Sequence, residues 1–197
     1  MKNKKEKLKN LGVFCIEDAK KLGISWSTLY RMYQKEEIIK LSRGLYIHPG
    51  CNNISIEERD FITSYKKFGN KSIIAGFTAL FYHGLIEQVP SQIWITVPHN
   101  IKTTDSKYRL IRAKKISMIG VENKKYYKIT NIERTLVESL RYSSKIGIRT
   151  SISAILKAIN EKKTNLSKIM KMAKALGYEN VIKKYWETII GSIETNL

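Results

Sequence analysis

Residues 14–49 read FCIEDAKKLGISWSTLYRMYQKEEIIKLSRGLYIHP, and the fold is decided here. Ile16 to Leu22 fits a short helix, with Ile16, Ala19 and Leu22 on its buried side. Glu17 and Asp18 in its first turn suit the positive end of the helix dipole. Gly23 supplies a turn, because glycine enters the left-handed region cheaply. Ser25 is a good N-cap for a second helix, in which Leu29, Met32 and Tyr33 fall at i, i+3 and i+4 and are expected to face the core. Its opposite face shows Trp26, Ser27, Thr28, Tyr30, Arg31, Gln34 and Lys35. Ile38–Leu41 and Leu45–Ile47 read as short strands, joined by a hairpin at Ser42, Arg43 and Gly44.

Helix, tight turn, helix and hairpin in this order are the plan of a winged helix-turn-helix, which lays its second helix in the DNA major groove. The face of that helix carries groups that hydrogen-bond bases and phosphates. The expected DNA contacts are Ser25, Trp26, Ser27, Thr28, Tyr30, Arg31 and Lys35 from the helix, with Lys40, Ser42 and Arg43 from the wing. A solvated helix face would also be rich in Lys and Arg, so the motif alone is a weak signal. The charge of the chain strengthens it. With 36 Lys and Arg against 17 Asp and Glu, the formal net charge is +19, and duplex DNA is the leading partner.

A chain of 197 residues suits one large or two small domains, and 43% hydrophobic content supplies real cores. Pro49, Gly50, Asn52 and Asn53 break regular structure, which puts a boundary near residues 48–55. The expected organisation is α+β: a winged helix-turn-helix over 1–53, then a larger C-terminal domain over 54–197 with a small mixed sheet and several helices. Residues 1–9 are basic and lead without an apolar signal core into Leu8 and Leu11, which suit a first helix. No run of about 18 apolar residues suggests a membrane span. Cys15 and Cys51 lack metal-type spacing and read as reduced thiols of a cytoplasmic protein.

Ile56–Phe68 reads as a helix with Phe61, Ile62, Tyr65 and Phe68 on one side. Ser72–Ala75 and Ile93–Val97 read as buried strands. Phe77–Tyr82 reads as a helix ended by His83-Gly84, where the imidazole would meet the helix dipole. Strand-like runs at 108–111, 116–121 and 126–129 follow, then a helix over 132–142 with Leu136, Val137 and Leu140 inward. Three more helical patterns cover about 151–160, 164–176 and 179–190. The segment 102–128 concentrates cations: Lys102, Lys107, Arg109, Arg112, Lys114, Lys115, Lys124, Lys125 and Lys128, against Asp105 and Glu122. Residues 1–53 carry +6 and the remainder +13. A functional basic face in the second domain therefore competes with simple lysine enrichment.

The chain resembles the AbiEi antitoxins of type IV toxin-antitoxin systems. Four stretches carry the resemblance: Phe14–Lys35 with its helix-turn-helix, the wing Ser42-Arg-Gly-Leu-Tyr46, Thr78-Ala-Leu-Phe-Tyr-His-Gly-Leu85 with Gln88-Val-Pro90 and Ile93–Pro98, and Ile129-Thr-Asn-Ile-Glu-Arg-Thr-Leu-Val-Glu138. Glu138 stands where the family often has Asp, and the last fifty residues carry no motif of it. The resemblance implies two jobs. One is repression of the antitoxin's own operon by binding repeated DNA half-sites. The other is countering a nucleotidyltransferase toxin, chiefly through the C-terminal domain and without need of a stable complex. The cations of 102–128 would be the antitoxic face.

Catalysis finds little support. His48, His83 and His99 are the only histidines, no carboxylates have metal-cluster spacing, and no Gly-rich phosphate loop occurs. No enzyme, metal or cofactor is expected. Two alternatives stay open beside the antitoxin: a stand-alone winged-helix regulator whose second domain senses a ligand or partner, and an RNA-binding protein that shields a toxin's substrate.

Overall fold

Periodicity and capping set the elements of the N-terminal unit, as described for residues 2–51 and 54–194 by the computed structural model. Helix α1 (Lys2–Leu11) buries Leu8. A strand that the pattern does not announce, β1 (Val13–Cys15), follows. At the start of α2 (Ile16–Lys21), Asp18 Oδ2 accepts from the Cys15 backbone N–H and thiol, each at 3.0 Å. The backbone bond first, then the thiol bond, holds the Asp18 carboxyl below its usual range. Gly23 takes a φ of +69° and closes α2, its N–H donating to Lys20 O and that of Ile24 to Ala19 O. Ser25 Oγ then accepts from the Thr28 N–H at 3.2 Å and starts α3 (Trp26–Gln34). Strands β2 (Ile39–Ser42) and β3 (Leu45–Ile47) form a hairpin, and β1 adds antiparallel to β3, giving the order β1-β3-β2. Leu8, Phe14, Ala19, Ile24, Leu29, Met32 and Ile38 make one core.

Tyr33 corrects the sequence reading. It was expected inward with Leu29 and Met32, but it is 38% exposed. Leu29 and Met32 fill the core stripe, and the Tyr33 ring lies beside it under the Lys40 ammonium, 5.9 Å from the ring centre.

The chain is α+β and divides into compact units at 1–67 and 68–197. Helix α4 (Ile56–Phe68) therefore goes mostly with the first unit, later than the expected break near 48–55. Asn52 and Asn53, named as helix breakers, lie outside the described residues.

The second unit is built on a five-stranded mixed sheet of β4 (Ile73–Ile74), β5 (Ile93–Pro98), β6 (Tyr108–Ala113), β7 (Val121–Asn123) and β8 (Lys128–Thr130), in the order β6-β5-β4-β8-β7. The pairs β5–β6 and β4–β8 are parallel, the others antiparallel. The strand expected over 116–121 does not form: these residues run as coil and a turn, and pairing resumes only at Val121. The reason is Arg134, whose guanidinium takes the carbonyls of Ser117 and Ile119 at 2.8 Å each, so this backbone bonds a side chain instead of a neighbouring strand.

Among the described residues, seven helices surround or follow the sheet: α5 (Gly76–Tyr82), α6 (Ile132–Arg141), α7 (Ser143–Ile146), α8 (Ile148–Asn160), α9 (Leu166–Leu176), α10 (Glu179–Lys184) and α11 (Trp186–Glu194). The last pattern, expected as one helix over 179–190, is broken at Tyr185 into α10 and α11. Helix α6 is central. It packs on α5, α8, α9 and α10, and every residue from Arg134 to Leu140 is buried. Leu136, Val137 and Leu140 join Ala154, Ile155, Ala158, Ile169 and Ala173 in the core. An ion pair sits inside it: Arg134 Nε donates to Glu138 Oε1 at 2.8 Å, with the two residues 3% and 4% exposed.

His83 also departs from expectation. Its ring does not address its own helix end. Nε2 lies 2.7 Å from the carbonyl oxygen of Thr130 on β8, and burial pushes the imidazole below its ordinary pKa. A neutral ring that donates to a strand carbonyl, tying α5 to the sheet, fits this environment better than a cation.

Candidate nucleic-acid interface

The solvent face of α3 follows from the stripe that Leu29 and Met32 bury, since residues a half-turn away must point outward. Trp26 and Tyr30 are 55% and 48% exposed. They are one turn apart, and their rings stack with centroids 5.4 Å apart and planes at 11°. Arg31 and Gln34 are exposed on the same short helix, and Lys35 is exposed at its C-cap. Thr28, Arg31 and Lys35 line a shallow hollow with Gly23, Ile24, Met32 and Glu37, so the hydroxyl and two cations share one concave surface.

The hydroxyls at the helix start are less free than their positions suggest. Ser25 Oγ caps the helix and lies 2.9 Å from both Ser27 Oγ and Thr28 Oγ1. Ser25 therefore holds the first turn in shape, and Ser27 and Thr28 would meet a ligand as members of that small network. In the hairpin, Lys40 pairs across to Tyr46, and the register slips between Lys40 and Ser42. Arg43 is exposed at the tip beside Gly44, whose φ of +75° makes the tight reversal.

The cations of 102–128 do not form a single face. Strands β6 and β7 are opposite edges of the sheet, so Lys107, Arg109 and Arg112 are separated from Lys124, Lys125 and Lys128 by the strands between them. Arg109 and Arg112 are three apart on one strand and point to opposite sides. Arg109 lies over the Trp94 ring, 4.6 Å from its centre, while Arg112 lines a hollow with Lys102 and Tyr108. Lys124 is paired with Glu122 at 2.8 Å and lies 5.8 Å from the Tyr82 ring centre; Lys125 lies 4.9 Å from that of Tyr126.

One true convergence remains. Lys114, Lys115 and Lys128 line a hollow of about 370 Å³ together with Lys71, and the Lys128 ammonium donates to the Asn70 carbonyl at 2.7 Å. Lys71 was missed because it stands more than thirty residues before the basic segment, and only the β4–β8 pairing brings it near. Arg134 and Glu138 were missed as well. Their signal was present in part: opposite charges at i, i+4 on one helix.

Among the described residues no three or more of His, Cys, Asp and Glu gather as metal ligands would, and no helix is long and apolar enough to cross a membrane. No protein-family model matches the chain, and no curated protein matches it either.

Proposed function

We propose that the N-terminal unit is a winged helix-turn-helix that reads duplex DNA with α3 and braces it with the β2–β3 wing. The observation that carries this reading is the exposed face of α3. Stacked aromatic rings, a guanidinium, a carboxamide and an ammonium stand together on one short helix, whose other side is locked into a core. Arginine reads guanine in the major groove and glutamine reads adenine. The cations Lys40 and Arg43 of the wing suit phosphates, and the net charge of +19 supplies the salt-dependent attraction that such contacts need. The experiment is selection from a random duplex library with the full-length chain. An enriched motif, repeated at a fixed spacing, is the expected outcome, and recovery of unselected sequence would reject specific reading.

With DNA binding as its basis, we place the whole chain as an autorepressing antitoxin against a nucleotidyltransferase toxin. Support for that second job is the AbiEi-like pattern of residues 12–142, together with the uncompensated lysine hollow of the second unit, which could attract an acidic toxin surface or compete for RNA. Co-expression with a nucleotidyltransferase encoded beside it, scored for rescue of growth, tests this role separately from DNA selection.

A further inference from the structure

Among the described residues the second unit holds two buried side-chain oxygens without a hydrogen-bond partner, and both belong to residues lining the same cavity. Glu138 Oε1 is taken by Arg134, but Oε2 is buried with no hydrogen-bond partner among the described residues. The hydroxyl of Thr96 on β5 is in the same condition. Such atoms are uncommon in folded chains, since each gives up its water without a replacement. The cavity has a volume of about 70 Å³. One ordered water needs only about 10–15 Å³ of such space, so there is room for more than one water or for one end of a small molecule whose remainder lies toward the exposed Lys115 and Arg141.

The rest of the lining specifies the chemistry. Of the described residues around the cavity Glu138 alone is acidic, and its charge is matched by Arg134. Lys115 and Arg141, both exposed, add two further cations, and no second acidic residue lines the cavity among the described residues. The Arg141 guanidinium is held in place: it lies over the Tyr178 ring at 4.3 Å and the Tyr142 ring at 5.2 Å, and it donates to the Tyr178 hydroxyl. Buried oxygens without partners therefore sit with Glu138 and Thr96, and exposed cations stand at Lys115 and Arg141. The position of Gly120 adds a steric constraint beside Arg134. A Cβ there would come within 2.9 Å of Arg134 Cβ and Asn131 Oδ1, so the loop that fixes the guanidinium must carry glycine at this point.

We propose that this cavity is a binding site for a small molecule with an amino group at one end and an anionic group at the other. The amino group donates to Glu138 Oε2 and Thr96 Oγ1, and the anion meets Arg141 and Lys115. Amino acids and phosphorylated small amines share this chemistry. Ordered water alone would satisfy the inner oxygens but would make no use of the two cations beside them.

The test is thermal unfolding of the full-length chain with four probes: L-serine, O-phosphoethanolamine, methylammonium and acetate. A bifunctional probe at roughly ten times its Kd should raise Tm saturably by about 3–6 °C. A response to serine alone assigns a carboxylate ligand, and to O-phosphoethanolamine alone a phosphorylated one. Methylammonium and acetate should do nothing at the same concentrations. Thr96→Val, which keeps the shape and removes the hydroxyl, should unfold as cooperatively as the parent and lose most of the response. Arg141→Ala should lose it too. No rise with either bifunctional probe, an equal rise with a one-ended probe, or an undiminished rise in Thr96→Val would overturn the site and leave ordered water as its content.

Discussion

The indole of Trp26 lies flat on the phenol ring of Tyr30, with centroids 5.4 Å apart and planes at 11°. Both rings are exposed, so the pair hides apolar area from water without a core to enter. The next side chain, Arg31, is exposed because Leu29 and Met32 take the buried stripe of the same helix. If α3 is the reading helix, Arg31→Ala should weaken binding to a selected duplex by about 1–3 kcal/mol while changing binding to random duplex far less. Parallel gel-shift titrations measure the two. Equal losses on both would move Arg31 from base reading to phosphate contact, and no loss on either would mean the wrong helix was chosen.

The β2–β3 hairpin, proposed as the wing, makes a different kind of prediction, because phosphate contacts carry salt dependence and not sequence preference. Lys40 and Arg43 are both exposed on the hairpin. Each phosphate neutralised contributes a slope of about −0.9 to log affinity against log salt. Replacing both residues by Ala should flatten that line by up to about two units and spare the ranking of duplex sequences. An unaltered slope would remove the wing from the interface.

Two helix ends of the N-terminal unit use the same closing pattern with different residues. At the end of α2 the N–H groups of Gly23 and Ile24 return to Lys20 and Ala19; at the end of α3 those of Glu36 and Glu37 return to Tyr33 and Met32. The pattern requires a left-handed residue, and Glu36 adopts a φ of +55° to supply it. A side chain there is strained, and a carboxylate faces the negative end of the helix dipole. Glu36→Gly should therefore stabilise the chain by about 1 kcal/mol, raising Tm by about 2–4 °C. A lower Tm would mean that Glu36 makes a compensating contact.

This contrast shows what was legible in the sequence. Gly23, Ser25 and the spacing of Leu29 and Met32 act within one turn of themselves, so α2, α3 and their junction could be read directly. The hairpin at Arg43-Gly44 was legible for the same reason. Strand β1 was not: three residues give no periodicity, and Val13–Cys15 is a strand only because β3 lies beside it. The run 116–120 failed in the opposite sense. Its apolar residues look like a strand, but the carbonyls of Ser117 and Ile119 are claimed by Arg134, a partner fifteen or more residues away in sequence. The scattering of the 102–128 cations had the same origin. Their distribution depends on strand order, which no local pattern encodes, whereas the exposed cations of α3 could be placed by counting turns.

The last prediction concerns the buried charge pair of α6. Arg134 and Glu138 are bound to each other inside the core, and Arg134 also holds the backbone of 117–119. Removing one partner of a buried pair leaves the other uncompensated, so Arg134→Ala should cost about 3–5 kcal/mol near neutral pH. The pH dependence distinguishes charge from lost packing. Burial pushes the Glu138 carboxyl above its ordinary value of 4.5, against the opposing pull of Arg134. The folded state then holds this proton more tightly than the unfolded one. Stability from this group is fully present below the unfolded pKa and declines as pH rises from there through the folded pKa. Without Arg134 the carboxyl should be raised further, extending the decline to higher pH. Chemical unfolding of the parent, Glu138→Gln and Arg134→Ala from about pH 4.5 to 8 tests this. The stability of the parent relative to Glu138→Gln should fall with rising pH, and the deficit of Arg134→Ala should shrink toward acid pH, where a neutral Glu138 needs no counter-charge. A deficit that stays constant across the range would assign the role of Arg134 to packing and to the two carbonyls it holds, not to the carboxylate.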